Sequence, residues 1–121
     1  MASFKFCNVE PNNEKLQDCV IRAISLATGI RYDDVVKSLF SNGQQHSCDC
    51  INVSCYTKLI ENLGYYTRNV ENYTVGDLAD MHPNKVILIR IKGHLTCAID
   101  NCIYDLWDCR NKIATNYWII S

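Results

Sequence analysis

A cysteine at the start of a helix, a histidine at the start of a strand and an aspartate on the strand that follows can together carry out acyl transfer. Residues 12–30 read NNEKLQDCVIRAISLATGI, so Cys19 directly follows Asp18 at the point where an apolar helical pattern begins. Unpaired N–H groups and the positive end of the helix dipole bias a thiol there towards thiolate. A thiolate nucleophile works with a histidine that holds its proton, and a third group fixes the imidazole. Of the three histidines, His46 lies in a polar stretch and His82 precedes Pro83 in a turn, whereas His94 opens the segment HLTCAID. His94 therefore has the rigid mount. With Asp100 and Asn101 as the turn of a two-residue hairpin, Ile99 pairs with Cys102, Cys97 with Tyr104, Thr96 with Asp105 and His94 with Trp107. Alternation then puts His94, Thr96 and Asp105 on one face, with Asp105 diagonal to His94 at roughly 7 Å between Cβ atoms. Asp105 is the expected orienter, and Asp108, which faces the other way unless a bulge intervenes, is the fallback. An oxyanion hole needs the backbone N–H of the nucleophile and an upstream amide. Asn13, six residues before Cys19, is preferred for this over Gln17, two before it.

The elements that must position these groups follow from periodicity. A helix is predicted from about Cys19 to Thr28, with Asp18 as N-cap, Val20, Ala23, Ile24 and Ala27 on one face, and Gly29 as its stop. YDDVVKSLFSNG gives a second, with Tyr32, Val35, Val36, Leu39 and Phe40 on one face and Gly43 beyond its end; SCYTKLIENLG gives a third. The polar stretch NGQQHSCDCINVS between them reads as an exposed loop. YYTRNV can form a strand, and TVGDLADM one short helix, with Thr74 and Asp77 in capping-box positions. KVILIRIKG, HLTCAID, NCIYDLWD and KIATNYWII are β-branched and aromatic segments separated by turn residues, as in an antiparallel meander. The expected fold class is α+β, with N-terminal helices packed on a C-terminal antiparallel sheet.

At 121 residues and 48% hydrophobic content, residues 1–121 suit a single domain with one core. Twelve basic residues balance thirteen acidic ones without a basic run, which excludes a nucleic-acid partner recognised by charge. No segment approaches the roughly 18 apolar residues of a membrane span, and residues 1–17 lack a leader pattern. Eight cysteines would be a disulfide framework in a secreted chain, but these features point to a cytoplasmic protein with mostly free thiols. His46, Cys48, Cys50 and Cys55 offer four soft ligands within ten residues and form the alternative zinc site, although a C-x-C pair is tighter than the usual ligand spacing. A disulfide within this loop is a further alternative. Cys97 and Cys102 fall on the face opposite His94, and Trp107, on the His94 face, is placed to shield the His94–Asp105 pair from water.

DCVIRAIS, GHLTCAID and IYDLWD, in that order, resemble the papain-like cysteine peptidase superfamily in a minimal, C39-like form. They are also similar to small phage and bacterial proteins with a DCVxRA motif. The likeness spans most of the chain. It implies a papain-like core, Cys19 as nucleophile, His94 as general base and acid, and Asp105 as orienter. It implies no cofactor, a protein or peptide substrate, and the host cytoplasm as location if the chain is phage-encoded. Two departures are Asn13, where the superfamily commonly has Gln, and Val20, where many members have Gly or an aromatic residue. The implied activity is that of a thiol hydrolase, a peptidase or isopeptidase working through an acyl-enzyme. Glutamine deamidation and acyl transfer use the same triad and stay open, as do a non-catalytic module that binds a host protein and a zinc-stabilised interaction domain. The sequence specifies no oligomeric state.

Overall fold

The chain runs β1 (Ser3–Phe6), α1 (Cys19–Thr28), α2 (Tyr32–His46), α3 (Val53–Asn62), β2 (Arg68–Asn69), α4 (Val75–Met81), β3 (Val86–Ile91), β4 (His94–Ile99), β5 (Cys102–Asp105) and β6 (Ala114–Ile119). This is a computed structural model, and it describes residues 1–14 and 17–121. The fold is α+β, with four helices and a six-stranded, mostly antiparallel sheet in the order β1-β5-β4-β3-β6-β2.

The predicted hairpin is present. β4 and β5 pair as Ile99↔Cys102, Ala98↔Ile103 and Cys97↔Tyr104; the ladder ends there, so the expected pairs Thr96–Asp105 and His94–Trp107 are not part of it, and Trp107 lies beyond the end of β5. Its turn residues Asp100 and Asn101 have φ of 49° and 63°, the paired left-handed conformation that matches strand twist in a two-residue loop. The rest of the sheet is not a simple meander, because β6 returns to pair with β3 rather than β5. Both faces of β3 are covered, with Ile87, Leu88 and Ile89 fully buried, so this strand must be central and needs two neighbours. The outer edge of β5 is taken by β1, a short strand that the pattern reading left out; it pairs in parallel from Ser3↔Cys102 to Phe6↔Asp105.

Helices cover both faces of the sheet. On one, Val20, Ile24, Leu39 and Ile60 of α1–α3 meet Leu88, Leu95 and Trp118. On the other, Val75 and Leu78 of α4 meet Ile87, Ile89 and Ile103. Each large side chain buried in this way contributes about 1.5–3 kcal/mol. The predicted capping box starts α4, with Thr74 Oγ1 accepting from Asp77 N and the Asp77 carboxylate accepting from Thr74 N.

α2 is longer than periodicity implied. Gly43 is not its stop but a buried residue within it, and a Cβ there would lie 2.9 Å from the Cys48 carbonyl. Buried Asn42 donates to the Cys55 carbonyl at 2.9 Å, which ties the last turns of α2 to α3. The helix ends instead at Ser47, in the left-handed conformation, so much of the expected loop is helical. Cys48 and Cys55 form a disulfide across the connection that remains; the other six cysteines are free. No helix among the described residues is long and apolar enough to cross a membrane.

Candidate active site

Cys19 is the first residue of α1 and half-buried. Asp18 occupies the N-cap position as predicted, but its side chain does not cap the helix. Its carboxylate is turned inward, where Oδ1 accepts from Arg22 Nε at 2.6 Å and Oδ2 accepts from the Tyr32 hydroxyl at 2.6 Å. The first-turn N–H groups are thereby left to act on the nucleophile's surroundings. The same Arg22 reaches across to β5 and donates through NH1 to Asp105 Oδ1 at 3.1 Å.

Asp105 is the last residue of β5 and only 2% exposed. Its Oδ2 accepts from His94 Nε2 at 2.6 Å, and Oδ1 also accepts from the Leu106 backbone N–H at 2.7 Å. Because a carboxylate only accepts, the Nε2 proton is fixed and Nδ1 is the nitrogen left for the thiol. The Trp107 indole packs against the imidazole, ring centroids 4.9 Å apart and the planes tilted by 45°.

The electrostatics follow from this chain of contacts. Burial raises the Cys19 pKa, but hydrogen bonds from His94 and the Leu95 backbone, with the charges of His94 and Arg22, overcome it and leave the thiol below its ordinary value. For His94, burial disfavours the cation, yet the hydrogen bonds to Asp105, Cys109 and Cys19 hold its pKa well above the usual imidazole range. Asp105 is likewise disfavoured as an anion by burial and held below the usual carboxylate range chiefly by His94. Thiol lowered and imidazole raised is the condition for a thiolate–imidazolium pair.

These groups open onto a cleft of about 730 Å³, walled by Cys19 and Val20 of α1, Ile51 and Val53 near the start of α3, and His94 and Trp107. Gln17 lies in its wall. Asn13, the preferred oxyanion amide, does not. It sits in a turn wound round the Glu10 carboxylate, which accepts from Asn12 N at 2.6 Å and Glu14 N at 3.2 Å, with Asn13 itself at φ 57° and donating to the Glu10 carbonyl. Of the two predicted oxyanion amides, Gln17 is thus the one that the fold brings to the cleft. Asp108, the fallback orienter, is exposed and bound to the Arg110 guanidinium at 2.7–3.1 Å.

The alternative zinc quartet is not assembled, since Cys48 and Cys55 are bonded to each other and His46 ends α2. Among the described residues, a different trio could hold a metal: ligand atoms of His94, Asp105 and Cys109 lie within 4.8 Å of one another. Two of them already share a hydrogen bond, and Asp105 also carries Arg22.

Arg22, Tyr32 and Arg90, which also lines the cleft, were not singled out by sequence reasoning. For Arg22 a signal existed, because Asp18 and Arg22 are four apart on one helix, a spacing that favours an ion pair. In comparison with known proteins, no family model, no curated protein and no solved structure matches the chain.

Proposed function

We propose that the chain is a thiol hydrolase of papain-like type, acting on a peptide or isopeptide bond. The observation that carries this is the His94–Asp105 hydrogen bond set in the same cleft as the half-buried Cys19, with the thiol's pKa lowered and the imidazole's raised. In the reaction, the Cys19 thiolate attacks the carbonyl carbon, and the carbonyl oxygen takes the negative charge, facing the Cys19 backbone N–H and the Gln17 amide. His94 gives its proton to the leaving amine as the C–N bond breaks, forming a thioester. Water, deprotonated by His94, then attacks the thioester carbonyl; the carboxylic acid leaves, and Cys19 returns as thiolate. Asp105 keeps the Nε2 proton in place throughout, so only the proton on Nδ1 moves.

Alkylation by iodoacetamide between about pH 4 and 9, resolved by peptide mass spectrometry, tests the premise. Cys19 should react quickly well below the free-thiol pKa of roughly 8.5, and His94→Ala should return it to ordinary behaviour. A Cys19 that stays inert while the other half-buried free thiols react would falsify the assignment and turn attention to a binding role for the scaffold.

A further inference from the structure

The cleft holds a second polar feature that the triad does not use. We infer that Arg90 is a specificity-determining residue that receives a carboxylate of the substrate beside Cys19, an inference that rests on the thiol-hydrolase reading above. Arg90 sits on the central strand β3, with Leu95 of β4 and Asn116 of β6 as its partners, so its backbone is held from both sides. Its side chain is half-buried and lines the cleft. NH1 donates to Thr115 Oγ1 at 3.0 Å. The guanidinium also acts on the Tyr56 hydroxyl, whose pKa burial pushes up to about 12 against the opposing Arg90 charge.

Both of those partners are neutral oxygens. Among the described residues no carboxylate pairs with Arg90, whereas Arg22 has Asp18 and Asp105, and Arg110 has Asp108. Among the described residues, the one carboxylate in the cleft wall is Asp18, and it is committed to Arg22 and Tyr32. An oriented guanidinium without a counter-ion, set in a wall with Val20, Val53 and Tyr56, keeps donors free in the planar fork that fits a carboxylate. Partial burial strengthens such a contact. An acidic side chain and a free C-terminus carry the same group, and either would satisfy this site.

Three thiol-reactive probes separate the possibilities: N-chloroacetyl-glutaminamide as neutral reference, N-chloroacetyl-glutamyl amide with an acidic side chain, and N-chloroacetyl-glutamine with a free terminal carboxylate. Each forms a thioether at Cys19 with loss of chloride, and the rate is read by mass spectrometry. One acidic probe, or both, should label the wild type about tenfold faster than the reference, in line with a charge-assisted hydrogen bond. In Arg90→Gln this advantage should vanish while labelling by the neutral probe persists; Arg90→Lys should keep part of it. Whichever acidic probe is favoured identifies the source of the carboxylate. Equal rates for all three probes on the wild type, or an advantage that survives in Arg90→Gln, would overturn the inference. The wild-type comparison does not depend on the variants folding. Failure of the underlying reading looks different: the neutral probe itself would label Cys19 no faster than the other free cysteines.

Discussion

At the scale of single residues, the side chain on which most depends is Arg22, which lines the cleft but gives its hydrogen bonds to carboxylates. It is 5% exposed and joins two buried carboxylates, Asp18 of the α1 start and Asp105 of β5, so one guanidinium fixes the helix that carries the nucleophile against the strand that carries the orienter. Removing one member of a buried ionic group leaves the others desolvated and costs about 3–5 kcal/mol. Asp18 retains the Tyr32 hydroxyl, and Asp105 retains His94 and the Leu106 N–H, so Arg22→Met should fall near the lower end, about 3 kcal/mol, in urea unfolding. Arg22→Lys should recover little, because an ammonium cannot span both carboxylates as the fork does. Loss below about 0.5 kcal/mol in Arg22→Met would place the joint between α1 and β5 elsewhere.

At the scale of elements, the β4–β5 hairpin sets the distance between His94 and Asp105, and its turn is therefore part of the site. Asp100 and Asn101 both have positive φ, a conformation that asparagine and aspartate tolerate and β-branched residues resist. Asn101→Val should cost about 1–2 kcal/mol and slow Cys19 alkylation at pH 6, whereas Asn101→Gly should leave both unchanged. If Asn101→Val keeps wild-type alkylation despite lost stability, the hairpin is not what holds the pair together. This register could be read from the sequence because a two-residue turn and strict alternation leave one way to pair the strands. Other elements were hidden for tertiary reasons. Gly43 looks like a helix stop, yet it is needed for the close approach of the Cys48 carbonyl, which only the folded α2–α3 connection reveals. β1 has four residues and one neighbour, β5, a hundred positions away, so no local pattern announces it. Gln17 over Asn13 was decided by the turn around Glu10, again a contact rather than a spacing.

At the scale of the whole molecule, the proton held between Cys19 and His94 links stability to pH. The folded His94 pKa is raised, so its contribution is complete below the unfolded value of roughly 6.5 and is lost as pH rises through the folded one. The folded Cys19 pKa is lowered, so its contribution is complete above the unfolded value of roughly 8.5 and is lost as pH falls through the folded one. Between roughly 6.5 and 8.5 the unfolded chain holds one proton, on the thiol; wherever the pH there lies above the folded Cys19 pKa and below the folded His94 pKa, the folded pair also holds one, on the imidazole, and the two trends cancel. Below that window the unfolded chain binds one proton more, and stability rises with pH; above it the folded pair binds one more, and stability falls. Cys19→Ser removes the thiol but leaves the Asp105 bond that raises His94. Its stability relative to wild type should therefore drop by up to about 1.4 kcal/mol per pH unit across the same window. Denaturant unfolding of both proteins at half-unit steps measures that difference directly, because the other titrating groups are common to the two and subtract out. Curves that stay parallel from pH 6.5 to 8.5 would mean that no proton passes from thiol to imidazole on folding, and that the Cys19–His94 pair is neutral in the native protein.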